Sequence, residues 1–236
     1  MVNIEVELLI GNFFNMPKFL AKMTQRGHII SSLDDLMELY DEALYDEEPS
    51  DYFMTTPHTT LRRFNYIVVA IYGLSTKCVS QLRTHAKRLT FLSTSTQYSS
   101  FEGHRAEHCV FPTNDRETID ILTKIYNEIL EKYDDLIKYG VDKDIASYVL
   151  PQGLRKCLIV GGNLDDWQYV MRTRLCHRNS EETQQVMKLI YHEIKAKAGE
   201  QWVKGMLPSC CTSSGCQEGL KCCGKPFKET ECTLNL

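Results

Sequence analysis

The alternation of apolar and polar residues along the chain predicts both strands and helices. Apolar and polar side chains alternate from Val2 to Ile10, which is the two-residue period of a strand. Asn65 to Leu74 is a β-branched and aromatic run, typical of a strand covered on both faces. Met16 to Tyr45 carries mostly helical spacing instead. The two periods together predict a fold of the α/β (α+β) class.

Start and stop signals mark the longest predicted helix, from Asp115 to Tyr139. Asn114 is its expected N-cap, and Glu117 completes a capping box. Gly140 supplies the stop. The apolar stripe of this helix comprises Leu122, Ile125, Ile129, Tyr133, Leu136 and Ile137.

The second half of the chain alternates helices with one strand. A short helix is predicted from Asp142 to Val149, and a strand from Cys157 to Val160. Gly161–Gly162 is interpreted as a turn. Asn163 then caps another helix, and Glu181 to Lys197 forms a final amphipathic helix.

Composition narrows the functional classes. The chain has 236 residues, of which 43% are apolar and 25% charged, enough for one well-buried core with or without a small appendage. It has no apolar run of membrane-spanning length and no basic flank of a signal peptide, so we expect a cytoplasmic protein without a membrane partner. A net charge of -4 argues against broad nucleic-acid binding. The expected partner is a small molecule.

Two polar segments carry the candidate chemistry. Residues 81–99 place one histidine, three cations and a run of hydroxyls between apolar stretches, a composition suited to phosphate and ribose. Taken alone, this segment is also typical of a solvated basic helix followed by a Ser/Thr loop. Residues 163–174 place Asn163 at a helix start and Arg174 about three turns further on. Together the segments indicate a nucleotide and cofactor site.

The order of these pieces resembles that of flavin-dependent thymidylate synthase (ThyX) from about residue 20 to 205. The resemblance rests on His58-Thr59-Thr60, the apolar strand, a Gln-Arg-His segment ending in STQYS, the run GVDKDIASYVLP, and Asn163 with Arg174. It implies a curved, mostly antiparallel sheet flanked by helices. It also implies a homotetramer with FAD and dUMP at subunit interfaces, NADPH as reductant, methylenetetrahydrofolate as carbon donor, and no cysteine nucleophile.

The same resemblance assigns roles to individual residues. Arg174 falls on the catalytic arginine that contacts the pyrimidine, and Asn163 falls on a flavin-contacting asparagine. Thr60 lies close to a flavin-phosphate hydroxyl, and Ser95 matches the serine that donates to the nucleotide phosphate. The remaining assignments are Gln81, Ser93, Gln97 and Lys87 to the substrate and Arg83 and His85 to the cofactor.

The chain also departs from the family pattern. The family has an arginine-histidine-arginine triplet, which falls on residues 85–87 when counted from Ser95 and on residues 83–85 when counted from His58. Gln97 and Ser147 stand where two arginines normally bind phosphate. Lys87, Arg88, Arg172 or Arg178 would then have to compensate, or the acceptor is a pyrimidine nucleotide other than dUMP. A catalytically silent relative that binds a nucleotide or a protein partner is a third hypothesis.

Cysteines set the end of the chain apart. Six of the ten lie in the last 27 residues, so we divide the chain into a synthase-like domain, residues 1–205, and a Cys-rich tail, residues 206–236. Cysteines separated by short glycine-containing turns are typical of a structural zinc site. The expected ligands are Cys176, Cys211, Cys216 and Cys223, with Cys210 and Cys222 as their neighbouring alternatives. A disulfide-linked tail and a disordered thiol-rich end are the competing interpretations.

Overall fold

A four-stranded antiparallel sheet organises the fold, with the strand order β1-β2-β4-β3. The computed structural model describes residues 3–11, 19–20, 23, 32–44, 59–211, 215–228 and 231. The strands are β1 (Glu5–Gly11), β2 (Tyr66–Ser75), β3 (Thr90–Ser93) and β4 (Arg155–Asn163).

Helices flank this sheet, and most of them follow their predicted positions. None of the described helices is long and apolar enough to cross a membrane. The helices are α1 (Leu33–Leu44), α2 (Thr60–Arg63), α3 (Thr76–Arg83), α4 (Arg116–Lys138), α5 (Lys143–Ala146), α6 (Leu164–Arg174), α7 (Glu181–Ala198) and α8 (Glu200–Val203).

The two faces of the sheet are not covered alike. In β2, Ile67, Val69 and Ile71 are buried beneath the helices, whereas Tyr66 and Tyr72 on the opposite face are about half exposed. Within this single chain, β2 is therefore covered on one face only, and its covering on both faces stays a prediction. The main core lies on the buried face, where Trp167 of α6 donates a hydrogen bond to the Ile67 carbonyl at 3.1 Å.

The predicted turn at Gly161–Gly162 is wrong. Both glycines continue β4, where Gly161 lies opposite Val68 and Gly162 lies opposite Ile67. A Cβ atom on Gly162 would overlap the buried Leu89 side chain. These glycines permit close packing rather than a change of chain direction.

The ends of α4 show one correction and one confirmation. Its N-cap is Asp115 rather than Asn114, because the Asp115 side chain accepts the Thr118 N–H at 2.9 Å, and Glu117 no longer stands at the capping-box position. At the other end Gly140 has φ +89° and donates to the Ile137 carbonyl at 3.0 Å, while Val141 N–H reaches Leu136. These two bonds form a Schellman motif, so the predicted stop is confirmed.

Other predicted elements agree with the structure to different extents. The strand at the N-terminus is confirmed as β1 and the amphipathic helix after residue 180 as α7, although α8 follows it. The helix expected from Asp142 to Val149 is α5 followed by a 3-10 turn, Ser147–Val149. The helix expected from Met16 to Tyr45 is confirmed over α1, and much of the remainder lies outside the described residues.

The tail contributes to the main core. Met206 and Phe227 are fully buried and belong to the same apolar cluster as the sheet residues. A second, smaller cluster joins Phe101 and Cys109 to Leu130 and Tyr133 of α4. The domain boundary between residues 205 and 206 stays a prediction.

Candidate functional site

Arg174, the last residue of α6, joins the two polar segments. Its Nε donates to His85 Nε2 at 2.7 Å. Its Nη2 donates to the Gln81 carbonyl at 2.9 Å and to Thr84 Oγ1 at 2.7 Å. Its Nη1 donates to Asn179 Oδ1 at 2.8 Å. The structure thus brings the two segments into direct contact around one guanidinium group.

The hydrogen bond from Arg174 fixes the protonation of His85. Because Nε2 accepts this bond, that nitrogen carries no proton. Burial lowers the pKa of His85, and the positive charges of Arg174 and Arg88 lower it further. His85 is therefore a neutral imidazole at neutral pH, with the edge of the Tyr169 ring 6.3 Å away between centroids.

Gln81 connects the Arg174 network to the start of α7. Its backbone carbonyl faces Arg174, while its side-chain Oε1 accepts from Ser180 Oγ at 3.0 Å and from Thr183 Oγ1 at 2.9 Å. Ser180 is also the N-cap of α7. Gln81 is consequently held in a defined orientation by groups from two elements.

A cavity of about 380 Å³ opens beside Gln81. Its volume lies in the range of small-molecule pockets. One wall carries Glu182, whose carboxylate accepts the Ser75 N–H at 2.7 Å and the Ser75 hydroxyl at 2.6 Å. Another wall presents the rings of Phe111 and Tyr126, with centroids 5.6 Å apart. Sequence reasoning missed this cavity because its walls come from five separate segments.

A second group of cations consists of Arg83, which contacts Ser93 at the end of β3, and the neighbouring Lys156. Arg83 Nη2 donates to Ser93 Oγ at 2.7 Å. Lys156 is only 4% exposed, and its Nζ has no hydrogen-bond partner among the described residues. The Nζ lies 4.6 Å from the centre of the Phe101 ring. Burial, together with the charge of Arg83, lowers the pKa of Lys156 to about 8.

Lys156 was not among the residues predicted for the site. It lies within β4 at a position that faces the core, as the alternating burial of that strand shows. A lysine at an inward position of an apolar strand is the sequence signal that could have identified it, because lysine is rarely fully buried without a partner.

Asn163 is engaged with its own helix. Its Oδ1 accepts the Asp166 N–H at 2.9 Å, and its Nδ2 donates to the Asp166 carboxylate at 2.6 Å. The same carboxylate pairs with Arg88 at 2.9 Å, and the Arg88 guanidinium lies 3.9 Å from the centre of the Tyr169 ring. Asn163 and His85 are therefore linked through Arg88 and Tyr169, although they come from different segments.

Thr60 lies on an exposed turn near this group. It begins α2, whose Arg62 pairs with Asp165 of α6 at 3.3 Å. His58, which precedes it in the resemblance, lies outside the described residues.

The predicted substrate residues Ser95, Gln97 and Lys87 lie in loops, and Ser147, which stands where the family has an arginine, begins a 3-10 turn. Ser95 Oγ accepts the Gln97 N–H at 3.1 Å and the Tyr98 N–H at 3.4 Å, which closes the turn after β3. Lys87 is exposed. Ser147 Oγ donates to the Asp144 carbonyl at 2.7 Å. None of these four residues approaches Arg174 through the described hydrogen bonds.

Comparison with known proteins identifies the family of this chain. The family profile described as thymidylate synthase complementing protein matches residues 18–199. The chain belongs to this family.

Curated relatives of this family member are named flavin-dependent thymidylate synthase. The flavin-dependent thymidylate synthase of Pyrococcus abyssi is 27% identical over 170 residues, which cover 68% of each chain. That of Thermococcus onnurineus is 26% identical over 171 residues, or 69% of each chain.

Solved structures share the fold of this family member. ThyX from Helicobacter pylori, crystallised with FAD and dUMP, is 16% identical with a TM-score of 0.63 and covers 86% of this chain and 99% of its own. PolB from Streptomyces cacaoi, a UMP/dUMP methylase bound with 5-Br dUMP, is 16% identical with a TM-score of 0.64 and covers 88% and 98%. The predicted fold is confirmed.

The family match ends before the tail cysteines. Cys176, Cys216 and Cys223, three of the predicted metal ligands, line a cavity of about 220 Å³ together with Cys210 and Cys222. Cys211, the fourth predicted ligand, instead has its thiol 2.9 Å from the Phe227 carbonyl, to which it donates. Within the described part of the chain, no three His, Cys, Asp or Glu side chains already stand in a geometry that would hold a metal ion.

Proposed function

We propose that this chain is a flavin-dependent thymidylate synthase. It transfers the one-carbon unit of methylenetetrahydrofolate to C5 of dUMP, and it completes the methyl group with a hydride from FAD that NADPH has reduced. The observation that carries the proposal is the Arg174 network, which joins both predicted polar segments at one guanidinium. Membership of the family supports it further.

Arg174 positions the pyrimidine in this proposal. Its four hydrogen bonds to described residues use four of the five guanidinium N–H groups. One N–H on Nη1 is left to meet a uracil carbonyl, and the other four hold the guanidinium plane in place. A group oriented in advance loses less freedom when the substrate arrives.

The residues assigned to FAD fit a flavin site. His85 and Asn163 lie on opposite sides of the Arg88 and Tyr169 pair, so the segments that carry them form one continuous surface. Arg83 is exposed and adds a donor for a phosphate. When bound, FAD would supply the hydride. The polar residues around it would fix its orientation and exclude water.

Lys156 and Arg83 compensate for the arginines missing at Gln97 and Ser147. Their positive charges interact, and none of the hydrogen bonds or ion pairs of Lys156 and Arg83 in the described structure brings an acid to either one. A buried charge close to a second charge of the same sign is destabilising unless an anion neutralises them. A phosphate of the nucleotide is that anion in this proposal.

The other candidate cations are less suited to this role. Arg88 pairs with Asp166, Arg178 pairs with Glu218 at 2.9 Å, and Arg172 donates to the Gly205 carbonyl. Lys87 is exposed and would bind a phosphate in full solvent, where such a contact is weak.

The proposed enzyme works as a homotetramer. One face of the sheet carries Tyr66, Tyr72 and Leu92, which are about half exposed or more in the single chain. Apolar faces of this kind mark sites of protein association. A second chain on this face would complete the sites between subunits. A cytoplasmic location and the absence of a nucleic-acid partner stay predictions.

A second candidate function is C5 methylation of another pyrimidine nucleotide by the same chemistry. The replacement of two phosphate arginines by Gln97 and Ser147 favours it. UMP is the first competitor to test, because it differs from dUMP at the ribose and keeps the phosphate. A higher kcat/KM for UMP than for dUMP would favour this candidate over the first.

The test begins with the visible spectrum of the purified protein after reconstitution with FAD. We expect anaerobic NADPH to bleach the flavin and dUMP to change the rate or the spectrum, and methylenetetrahydrofolate to yield dTMP. Arg174→Ala should abolish dTMP formation while the flavin stays bound. Arg178→Ala, four residues further on in an exposed ion pair, is the matched control and should keep activity.

Two outcomes would contradict the proposal. Near-normal turnover by Arg174→Ala would show that Arg174 does not position the pyrimidine for the reaction. A protein that neither retains FAD nor oxidises NADPH would favour the catalytically silent relative.

A further inference from the structure

Three cysteines of the tail recur at equal intervals and surround one cavity. Cys210, Cys216 and Cys222 are each separated by five residues. They line the cavity of about 220 Å³ with Cys176, which follows α6, and with Cys223. Cys222 and Cys223 are exposed and the other three are half-buried, so packing in a core does not explain five thiols around one small space.

The sulfurs of this cluster differ in the hydrogen bonds that they form with the backbone. Cys210 Sγ accepts the Phe227 N–H and Cys222 Sγ accepts the Gly224 N–H, both at 3.4 Å. In both bonds the sulfur is the acceptor, so the backbone does not engage its own proton. Cys216 is hydrogen-bonded to Cys222.

The neighbouring cysteines make the opposite kind of bond. Cys211 Sγ donates to the Phe227 carbonyl at 2.9 Å, and Cys223 Sγ donates to the Lys225 carbonyl at 3.3 Å. Cys211 and Cys223 are therefore already engaged with backbone carbonyls, although the sequence pattern favoured them as ligands.

The tail packs against the body of the protein, so its cysteines lie around the same cavity as Cys176. Phe227 is 1% exposed in the main core, and its ring centroid lies 5.4 Å from that of His177. Arg178 and Glu218 form an ion pair at 2.9 Å on the same side. These contacts hold the chain on both sides of Cys222 against the body of the protein.

We propose that Cys176, Cys210, Cys216 and Cys222 bind one structural zinc ion that fastens the tail to the end of α6. Four thiolates are a common ligand set for structural zinc, with tetrahedral geometry and Zn–S distances of about 2.3 Å. A zinc ion with four thiolates carries a net charge of about -2, and Arg178 and Lys225 line the same cavity and oppose that charge.

Binding would draw the sulfurs inward, because no three described ligands already converge on one point. Gly215, Gly219 and Gly224 adopt positive φ values of 67°, 54° and 71°, so the intervening loops turn at residues that tolerate such conformations. Structural zinc sites commonly form together with the metal rather than before it.

The test uses the full chain, purified with reductant and without oxygen. We expect about one zinc per chain by elemental mass spectrometry, and a thiolate-to-cobalt charge-transfer band after replacement of zinc by Co²⁺. Cys210→Ser, Cys216→Ser, Cys222→Ser and Cys176→Ser should each lose most of the metal. Cys211→Ser and Cys223→Ser are the adjacent controls and should retain it.

A stability measurement gives a readout independent of activity. Adding a chelator should lower the thermal midpoint of the parent protein and leave that of Cys216→Ser unchanged. Because neither assay involves flavin or dUMP, the result stands whether or not the proposed synthase activity is found.

Three outcomes would overturn the zinc site. The first is a reduced protein that binds no zinc and gives no charge-transfer band with cobalt. The second is full metal content in both Cys210→Ser and Cys222→Ser. The third is loss of two hydrogens per bond in the intact mass without reductant, with no metal present, which would establish disulfides instead.

Discussion

At the scale of single residues, Lys156 is a buried amine whose Nζ has no hydrogen-bond partner among the described residues. Burying an ammonium group without a hydrogen-bond partner costs free energy, and its cation–π contact with Phe101 offsets part of that cost. An anion beside Lys156 and Arg83 would offset much more. The burial of this amine is therefore better explained by binding than by folding.

Lys156→Met should weaken the binding of dUMP while leaving deoxyuridine, which lacks the phosphate, almost unaffected. A hydrogen bond to a charged group contributes about 1.5 to 3 kcal/mol, so the dissociation constant for dUMP should rise by about 10- to 150-fold. Binding is measured by calorimetry or by the change in the flavin spectrum.

Lys87→Met is the matched control, because Lys87 is an exposed lysine of residues 81–99 and should contribute little. If Lys156→Met weakened dUMP and deoxyuridine equally, or if Lys87→Met caused the larger loss, the phosphate would have to bind elsewhere. Stability should not fall in Lys156→Met, because methionine removes a buried charge and keeps the volume.

At the scale of elements, local chemistry predicted where helices begin and end better than it predicted where strands end. Asn163 and Gly140 act through hydrogen bonds to nearby residues of the same segment. Their residue types alone were therefore enough to predict a helix start and a helix end. Gly161 and Gly162 resemble a turn locally, and only the approach of Tyr66 and Leu89 from other segments explains them.

The candidate site likewise contains residues that the sequence identified and residues whose role depends on contacts with distant segments. The resemblance identified Arg174 and Gln81, which the structure brings together. It did not identify Lys156, because the burial of this side chain depends on packing against Phe101. The hydrogen bonds of the Cys210 and Cys211 sulfurs likewise depend on the backbone of Phe227, which lies further along the chain.

The two glycines of β4 give a prediction at this scale. Gly162→Ala should destabilise the fold by about 1 to 3 kcal/mol, since its methyl group would overlap Leu89 inside the core. Gly161→Ala should cost less, because its Cβ would stand 3.0 Å from Tyr66 Oη on the open face, where that side chain can move. Urea unfolding of both variants measures the difference.

A double-mutant cycle tests the cause of that difference. In a Leu89→Ala background the overlap disappears, so Gly162→Ala should cost clearly less than in the parent. An equal cost in the two backgrounds would mean that the backbone at Gly162, rather than packing against Leu89, requires glycine.

At the scale of the whole molecule, the single chain leaves apolar surface on two elements. The open face of the sheet exposes 52% of Tyr72 and 70% of Leu92, and the first half of α4 exposes Ile121 and Ile125. The predicted apolar stripe of α4 is buried by this chain only toward its C-terminal end, at Tyr133. Both surfaces are accounted for if other copies of the chain cover them.

Leu92→Asp should therefore dissociate the proposed homotetramer. A carboxylate placed in an apolar interface loses hydration without gaining a partner, which costs several kcal/mol per subunit pair by the usual penalty for an unpaired buried charge. Sedimentation at fixed protein concentration should show a smaller species for the variant than for the parent. FAD retention should fall with it, because the proposed sites lie between subunits.

Leu220→Asp supplies the matched control, since Leu220 is a fully exposed leucine of the tail at 108% and lies away from the sheet. It should sediment like the parent. If Leu92→Asp also sedimented like the parent and kept its flavin, the open face of the sheet could not be the surface on which the subunits meet. The exposed half of α4 would then be the surface to alter next, through Ile121→Asp.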